Sequence, residues 1–138
     1  LMPKAIVDYG IILSLNSLFN QIENATVLKI RFYENLGDDV RLDLQTELNL
    51  YRITQEAINN VIKHAEATDV FVQLMLHSNE IIFTFEDNGK GFSELVADTG
   101  KKGIGLKSII NRAKAMSGYC DIDSTPGNGT TITVVIPI

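Results

Sequence analysis

VFVQLMLHSNEIIFTFEDNGKGF, residues 70–92, is the stretch on which the fold turns. VFVQLML (70–76) and IIFTFED (81–87) are rich in β-branched and aromatic residues and alternate in the manner of half-buried strands. HSNE (77–80) between them is a short polar turn, so the segment reads as a β-hairpin. In its second strand the period of two puts Ile81, Phe83, Phe85 and Asp87 on one face. A carboxylate that ends an apolar row is costly to bury, which makes Asp87 a candidate ligand contact at a pocket floor, able to accept from an exocyclic amine. An ordinary Asp-Asn-Gly turn would use the same residues. Gly89 and Gly91 allow a sharp turn and the approach of a flat group.

Downstream, Leu106 to Met116 has helical spacing and stops at Ser117 and Gly118. YCDIDST (119–125) and TTITVVIPI (130–138) flank PGNG and form a second hairpin. Thr130 opens its last strand, and its hydroxyl reaches toward Asp87 if the two strands are neighbours. Upstream, a helix starts near Thr46 and runs to about Ala65, VLKIRFY (27–33) is a strand, and residues 8–23 form an amphipathic helix. Residues 88–102 carry glycines and charges without periodicity and read as a loop long enough to be a mobile lid. These elements predict an α+β fold: a two-layer α/β sandwich, a mixed, mainly antiparallel sheet with helices on one face, in a single domain over 1–138. The strand order stays open.

Composition narrows the function. With 138 residues, 45% of them hydrophobic, and a net charge of -5, the chain lacks the basic surface of a general nucleic-acid or membrane binder. Local amides or a bound cation can still receive a phosphate. A single cysteine, Cys120, excludes an internal disulfide and a Cys-rich zinc site. No apolar run approaches the ~18 residues of a membrane span and no signal-peptide pattern opens the chain, so a cytoplasmic setting is expected. Opening on Leu1 suggests a piece of a longer protein.

Two polar constellations carry candidate chemistry. In QEAINNVIKHAEAT (55–68), ~100° per residue puts Glu56, Asn60 and Lys63 in one stripe with His64 beside it, against the apolar arc of Ile53, Ala57 and Val61. A carboxylate and a carboxamide one turn apart offer hard oxygens to Mg²⁺, the lysine suits phosphate, and Glu56 could orient or deprotonate a water. A solvated ladder of helical pairs is the plain alternative. GKKGIGLKSI (100–109) leads a glycine loop into a helix start, where free amides near Lys101, Lys102 and Lys107 can cradle phosphate. It is no Walker loop, because Leu106 separates Gly105 from Lys107, and no dinucleotide fingerprint, because Gly103 and Gly105 lack the third glycine.

The order of motifs is more specific than any one. QEAINNVIKHA, DNGKGF, GIGL and GNGT together resemble the asparagine box, two glycine boxes and final glycine-threonine box of the GHKL ATPases: gyrase, Hsp90-type chaperones, histidine kinases and MutL. RITQEAINNVIKHAEAT and GIGLKSIINRAKAMSG are similar to the ATP-binding catalytic domain of sensor histidine kinases partnered by LuxR/NarL-type response regulators. Residues 1–25 resemble the segment joining that domain to a dimerisation hairpin. The resemblance implies the Bergerat ATP-binding fold, with Asp87 and Thr130 on adjacent strands and with ATP and Mg²⁺ as cofactors. Asn60 would coordinate Mg²⁺, and Glu56 would be a catalytic base or metal-shell carboxylate. Lys63 and His64 would contact phosphate or ribose. Asp87 would accept the adenine amine, supported by Thr130 through a bridging water. Gly89 and Gly91 would shape the adenine pocket, and Gly103, Gly105 and Leu106 would supply lid amides to phosphate.

Such kinases phosphorylate a histidine on a helical hairpin. This chain has only His64 and His77, one in the asparagine box and one at a turn. The acceptor is therefore expected on a separate dimerisation and phosphoacceptor domain, without direct nucleic-acid or membrane contact by this domain. A serine kinase of anti-sigma type, or a nucleotide-binding module without catalysis, are the alternative readings.

Overall fold

The 70–87 hairpin lies at the middle of one five-stranded sheet. The computed structural model describes residues 3–37, 39–93 and 105–138. Its strands are β1 (Lys29–Glu34), β2 (Asp69–His77), β3 (Glu80–Asp87), β4 (Tyr119–Ser124) and β5 (Thr130–Pro137), in the order β1-β2-β3-β5-β4. The two hairpins expected from the sequence form β2–β3 and β4–β5, and β5 inserts antiparallel between β3 and β4. β1 pairs with β2 in parallel. The intervening chain is long enough for that crossover and contains a helix.

Three helices, α1 (Lys4–Ala25), α2 (Leu44–Asn60) and α3 (Leu106–Ala115), share one core with the face carrying Val72, Leu74, Phe83, Phe85 and Val134. The opposite phase of the strands, with Gln73, Thr84 and Thr133 in register, is only half-buried. One apolar and one polar sheet face is what alternation dictates, and the expected two-layer α+β sandwich results.

The differences from expectation lie at helix ends. α2 begins at Leu44 because Asp43 caps it, its carboxylate accepting from Thr46 N at 3.3 Å. α1 is longer than 8–23 and is broken at Gly10 (φ 85°, ψ -179°), a conformation that an L side chain rarely adopts. Arg41 crosses this break and donates to Ile6 O at 3.0 Å. The long helix does not stay α-helical to Ala65: after Asn60 it widens into a π-helical turn, Val61–Ala65, ended by Glu66 in the left-handed region (φ 53°). No helix among the described residues is long and apolar enough to cross a membrane.

Candidate functional site

At one end of the sheet, between α2 and the segment that follows β3, a cavity of about 170 Å³ opens. Ala57, Val61, Phe85, Phe92, Leu106 and Ile132 make its apolar walls, and Asn60, His64, Asp87, Lys90 and Thr130 its polar lining. Convergent polar groups in an apolar slot are the usual composition of a small-molecule site.

Asp87 is where the period of two puts it, ending the core row of β3 with 7% of its surface exposed. It pairs in register with Thr130 on β5, so the neighbouring of these two strands, which the resemblance implies, is found. Gly89 N donates to Asp87 Oδ1 at 2.8 Å, and the Thr130 amide also donates to the carboxylate. Burial nevertheless pushes the Asp87 carboxyl above its ordinary range; the two amides oppose that rise and the neighbouring Glu86 adds to it. The result is a desolvated acceptor whose bonded partners among the described residues include no cation.

DNGKGF is held from several sides. Lys90 N donates to Ala65 O (2.7 Å), Gly127 N donates to Lys90 O (2.6 Å), and Phe92 N donates to Ser124 Oγ (2.9 Å). Gly89 lies so close to Ala65, and Gly91 to the Thr125 carbonyl, that a Cβ on either would overlap its neighbour. Asn88 turns away from the cavity and ties the loop to the start of β2, its Oδ1 accepting from Thr68 N (2.9 Å) and Asp69 N (3.0 Å).

On the α2 side, Asn60 and His64 line the cavity, whereas Lys63 is exposed and is not part of the lining. The π turn accounts for this. Bonds that span five residues instead of four rotate the chain by less than ~100° per residue. Four steps from Asn60 then return His64 near the same face, and three steps leave Lys63 pointing aside. Glu56 faces Gly105: a Cβ on Gly105 would collide with Glu56 Oε2 and lie 3.9 Å from Asn60 Oδ1. Two oxygens from one helix thus converge beside the start of α3, where Gly105 (φ 68°) caps the helix without a side-chain bond. Gly103, Lys101 and Lys102, together with the expected lid, lie outside the described residues.

The arrangement fits Mg²⁺ held through a phosphate. Among the described residues no group of three or more His, Cys, Asp or Glu could hold a metal by itself. A pair of hard oxygens is enough where phosphates and waters complete the shell. Sequence reasoning missed Lys90, Phe92 and Ser124. For Ser124 a signal existed: it ends the core-facing phase Cys120, Ile122, Ser124 of β4, as Asp87 ends that of β3.

The sequence profile of the histidine kinase-, DNA gyrase B- and HSP90-like ATPases matches residues 45–138. The chain belongs to that family. The match runs from α2 to the end of the sheet and so contains every element lining the cavity of this ATPase-family domain. The chain is 35% identical over 130 residues to the sensor histidine kinase ComP of Bacillus subtilis, with 94% of this chain and 17% of that protein covered. To the oxygen sensor histidine kinase NreB of Staphylococcus carnosus it is 33% identical over 138 residues, 100% of this chain and 39% of that protein. The chain therefore spans well under half the length of these relatives. Among solved structures, the histidine kinase domain of the Erythrobacter litoralis EL346 blue-light activated kinase has the same fold (TM-score 0.70, 20% identity, 90% of this chain and 58% of that one).

Proposed function

We propose that the chain binds Mg-ATP in this cavity and is the catalytic domain of a two-component sensor histidine kinase. In that role it supplies the γ-phosphoryl for a histidine on a helical hairpin outside this chain. The observation that carries the reading is Asp87, a buried carboxylate whose partners among the described residues are two backbone amides, at the floor of an apolar slot, one strand from Thr130 and facing α2.

An adenine edge fits Asp87 as acceptor of its amine, with Thr130 beside it and the ring between apolar walls. The phosphates then extend toward Asn60, His64 and the amides of Gly105 and Leu106 at the start of α3. Asn60 and Glu56 are the oxygens that would hold Mg²⁺, which when bound neutralises phosphate charge. Glu56 is also the candidate base, and exposed Lys63 is available to a phosphate or ribose at the mouth. Gly103 and the lid are read as further phosphate contacts. α1 is read as the join to the dimerisation hairpin. The parent protein is inferred to be cytoplasmic in this part and to pass its phosphate to a LuxR/NarL-type response regulator.

Calorimetric titration with ATP, with and without Mg²⁺, tests the binding. Saturable ATP binding that Mg²⁺ strengthens is expected, and Asn60→Ala should remove about tenfold of that Mg²⁺-dependent gain. Absence of ATP binding would end the proposal. The kinase step is tested by extending the chain through its native upstream hairpin and supplying γ-labelled ATP. Acid-labile label on the hairpin histidine is expected; bound ATP without phosphohistidine would leave the domain a nucleotide-binding module.

A further inference from the structure

Behind Thr130 lies a second hydroxyl, Ser124, which is 4% exposed and outside the cavity lining. We propose that Ser124 is a positioning residue that fixes the proton of the Thr130 hydroxyl, so that Thr130 offers only lone pairs to the cavity and sharpens its preference for a 6-amino over a 6-oxo purine. This rests on the nucleotide reading above.

The argument is a count of protons. A serine hydroxyl has one proton to donate and two lone pairs. Among the described residues Ser124 Oγ has three partners: Phe92 N at 2.9 Å, Gly129 O at 3.1 Å and Thr130 Oγ1 at 2.8 Å. Phe92 N can only donate, and it takes one lone pair. Gly129 O, in a buried residue, can only accept, and it takes the proton. Thr130 Oγ1 must then donate to the remaining lone pair. Giving the Ser124 proton to Thr130 instead would set two acceptors, Ser124 Oγ and Gly129 O, against each other at 3.1 Å. Only one polarity satisfies all three contacts, and buried polar groups are rarely left unmatched.

With its proton turned toward Ser124, Thr130 acts as an acceptor in the cavity, in register with the acceptor Asp87. A purine 6-amine matches that edge, whereas a 6-oxo group meets lone pairs. A bridging water leads to the same preference. It must give one proton to Thr130 and keeps the other for an unprotonated ring nitrogen, which adenine has at N1 and hypoxanthine does not. Free rotation of the Thr130 hydroxyl would let it donate and would soften both distinctions.

The test is titration of the chain with Mg-ATP and with Mg-ITP, the 6-oxo analogue, in wild type, Ser124→Ala, Ser124→Thr and Thr130→Val. Ser124→Ala is expected to lower the ATP-to-ITP affinity ratio by about tenfold, and Ser124→Thr, which keeps the hydroxyl, to restore it. In the Thr130→Val background the Ser124→Ala change should leave the ratio unmoved, because the effect passes through Thr130. Should Ser124→Ala not fold, Ser124→Cys, a weaker donor and acceptor, is expected to lower the ratio in the same sense. Equal weakening of both nucleotides, with the ratio kept, would reduce Ser124 to a packing role and overturn the inference alone. A wild type that binds neither nucleotide would overturn the reading beneath it.

Discussion

Among the described residues two carboxylates are buried, Glu47 and Asp87, and they are built in opposite ways. Glu47, on α2, is 0% exposed and completely engaged: Arg41 Nε reaches both its oxygens at 3.2 Å, Arg41 NH2 reaches Oε1 at 2.9 Å, and Leu42 N donates to Oε2 at 3.2 Å. Among the described residues Asp87 has backbone amides, those of Gly89 and Thr130, for its partners. Glu47 has its charge matched and its lone pairs filled, so it can hold the break in α1 against α2 but has nothing left for a ligand. Asp87, among the described residues, meets no matching cation and keeps acceptor capacity that faces a cavity. Burial alone therefore does not mark a site; incomplete satisfaction does.

The contrast is broken most sharply at Asp87. Asp87→Asn retains the shape but turns part of the acceptor edge into a donor. ATP affinity should fall by about 100-fold, as expected for losing a charge-assisted bond and gaining a mismatch, with the melting temperature unchanged or higher. An unchanged Kd in calorimetry would remove Asp87 from the adenine role. Arg41→Met should do the reverse. It strips the cation from Glu47 and the donor from Ile6 O, so the melting temperature should fall by about 5–10 °C while ATP affinity stays within about twofold. A thermal shift no larger than that of an exposed Lys-to-Met control would mean that the clamp is incidental.

The smallest effect is in the pH dependence. Because the folded-state pKa of Asp87 is raised, the unfolded chain releases this proton first as pH rises. Stability contributed by the protonated group is therefore present at low pH and lost as pH climbs from the usual carboxylate range through the raised value. Relative to Asp87→Asn, wild type should gain stability on going from neutral pH toward about pH 4, read from urea unfolding at each pH. Parallel curves for the two proteins would show that Asp87 is ionised in the fold at no cost.

Both hairpins, the core phase of β3 and the position of Asp87 were legible because strand alternation is a local property with a period of two. The polar residue closing an apolar row announced Asp87, and the same mark was present at Ser124, where the short YCDIDS strand made it faint. The stripe on α2 was legible in Glu56 and Asn60. Lys63 lies outside the cavity lining, exposed beside it, and the sequence carries no visible sign of the switch from α to π turn that sets it there.

By itself the sequence determined the elements, the apolar face of the sheet, the order of motifs and hence the family, because each rests on neighbours a few residues apart. The strand order, the Arg41 clamp and the Ser124 relay were decided only in three dimensions. Each joins segments far apart in the chain, and their pairing depends on which surfaces can be buried together while every buried donor and acceptor is matched.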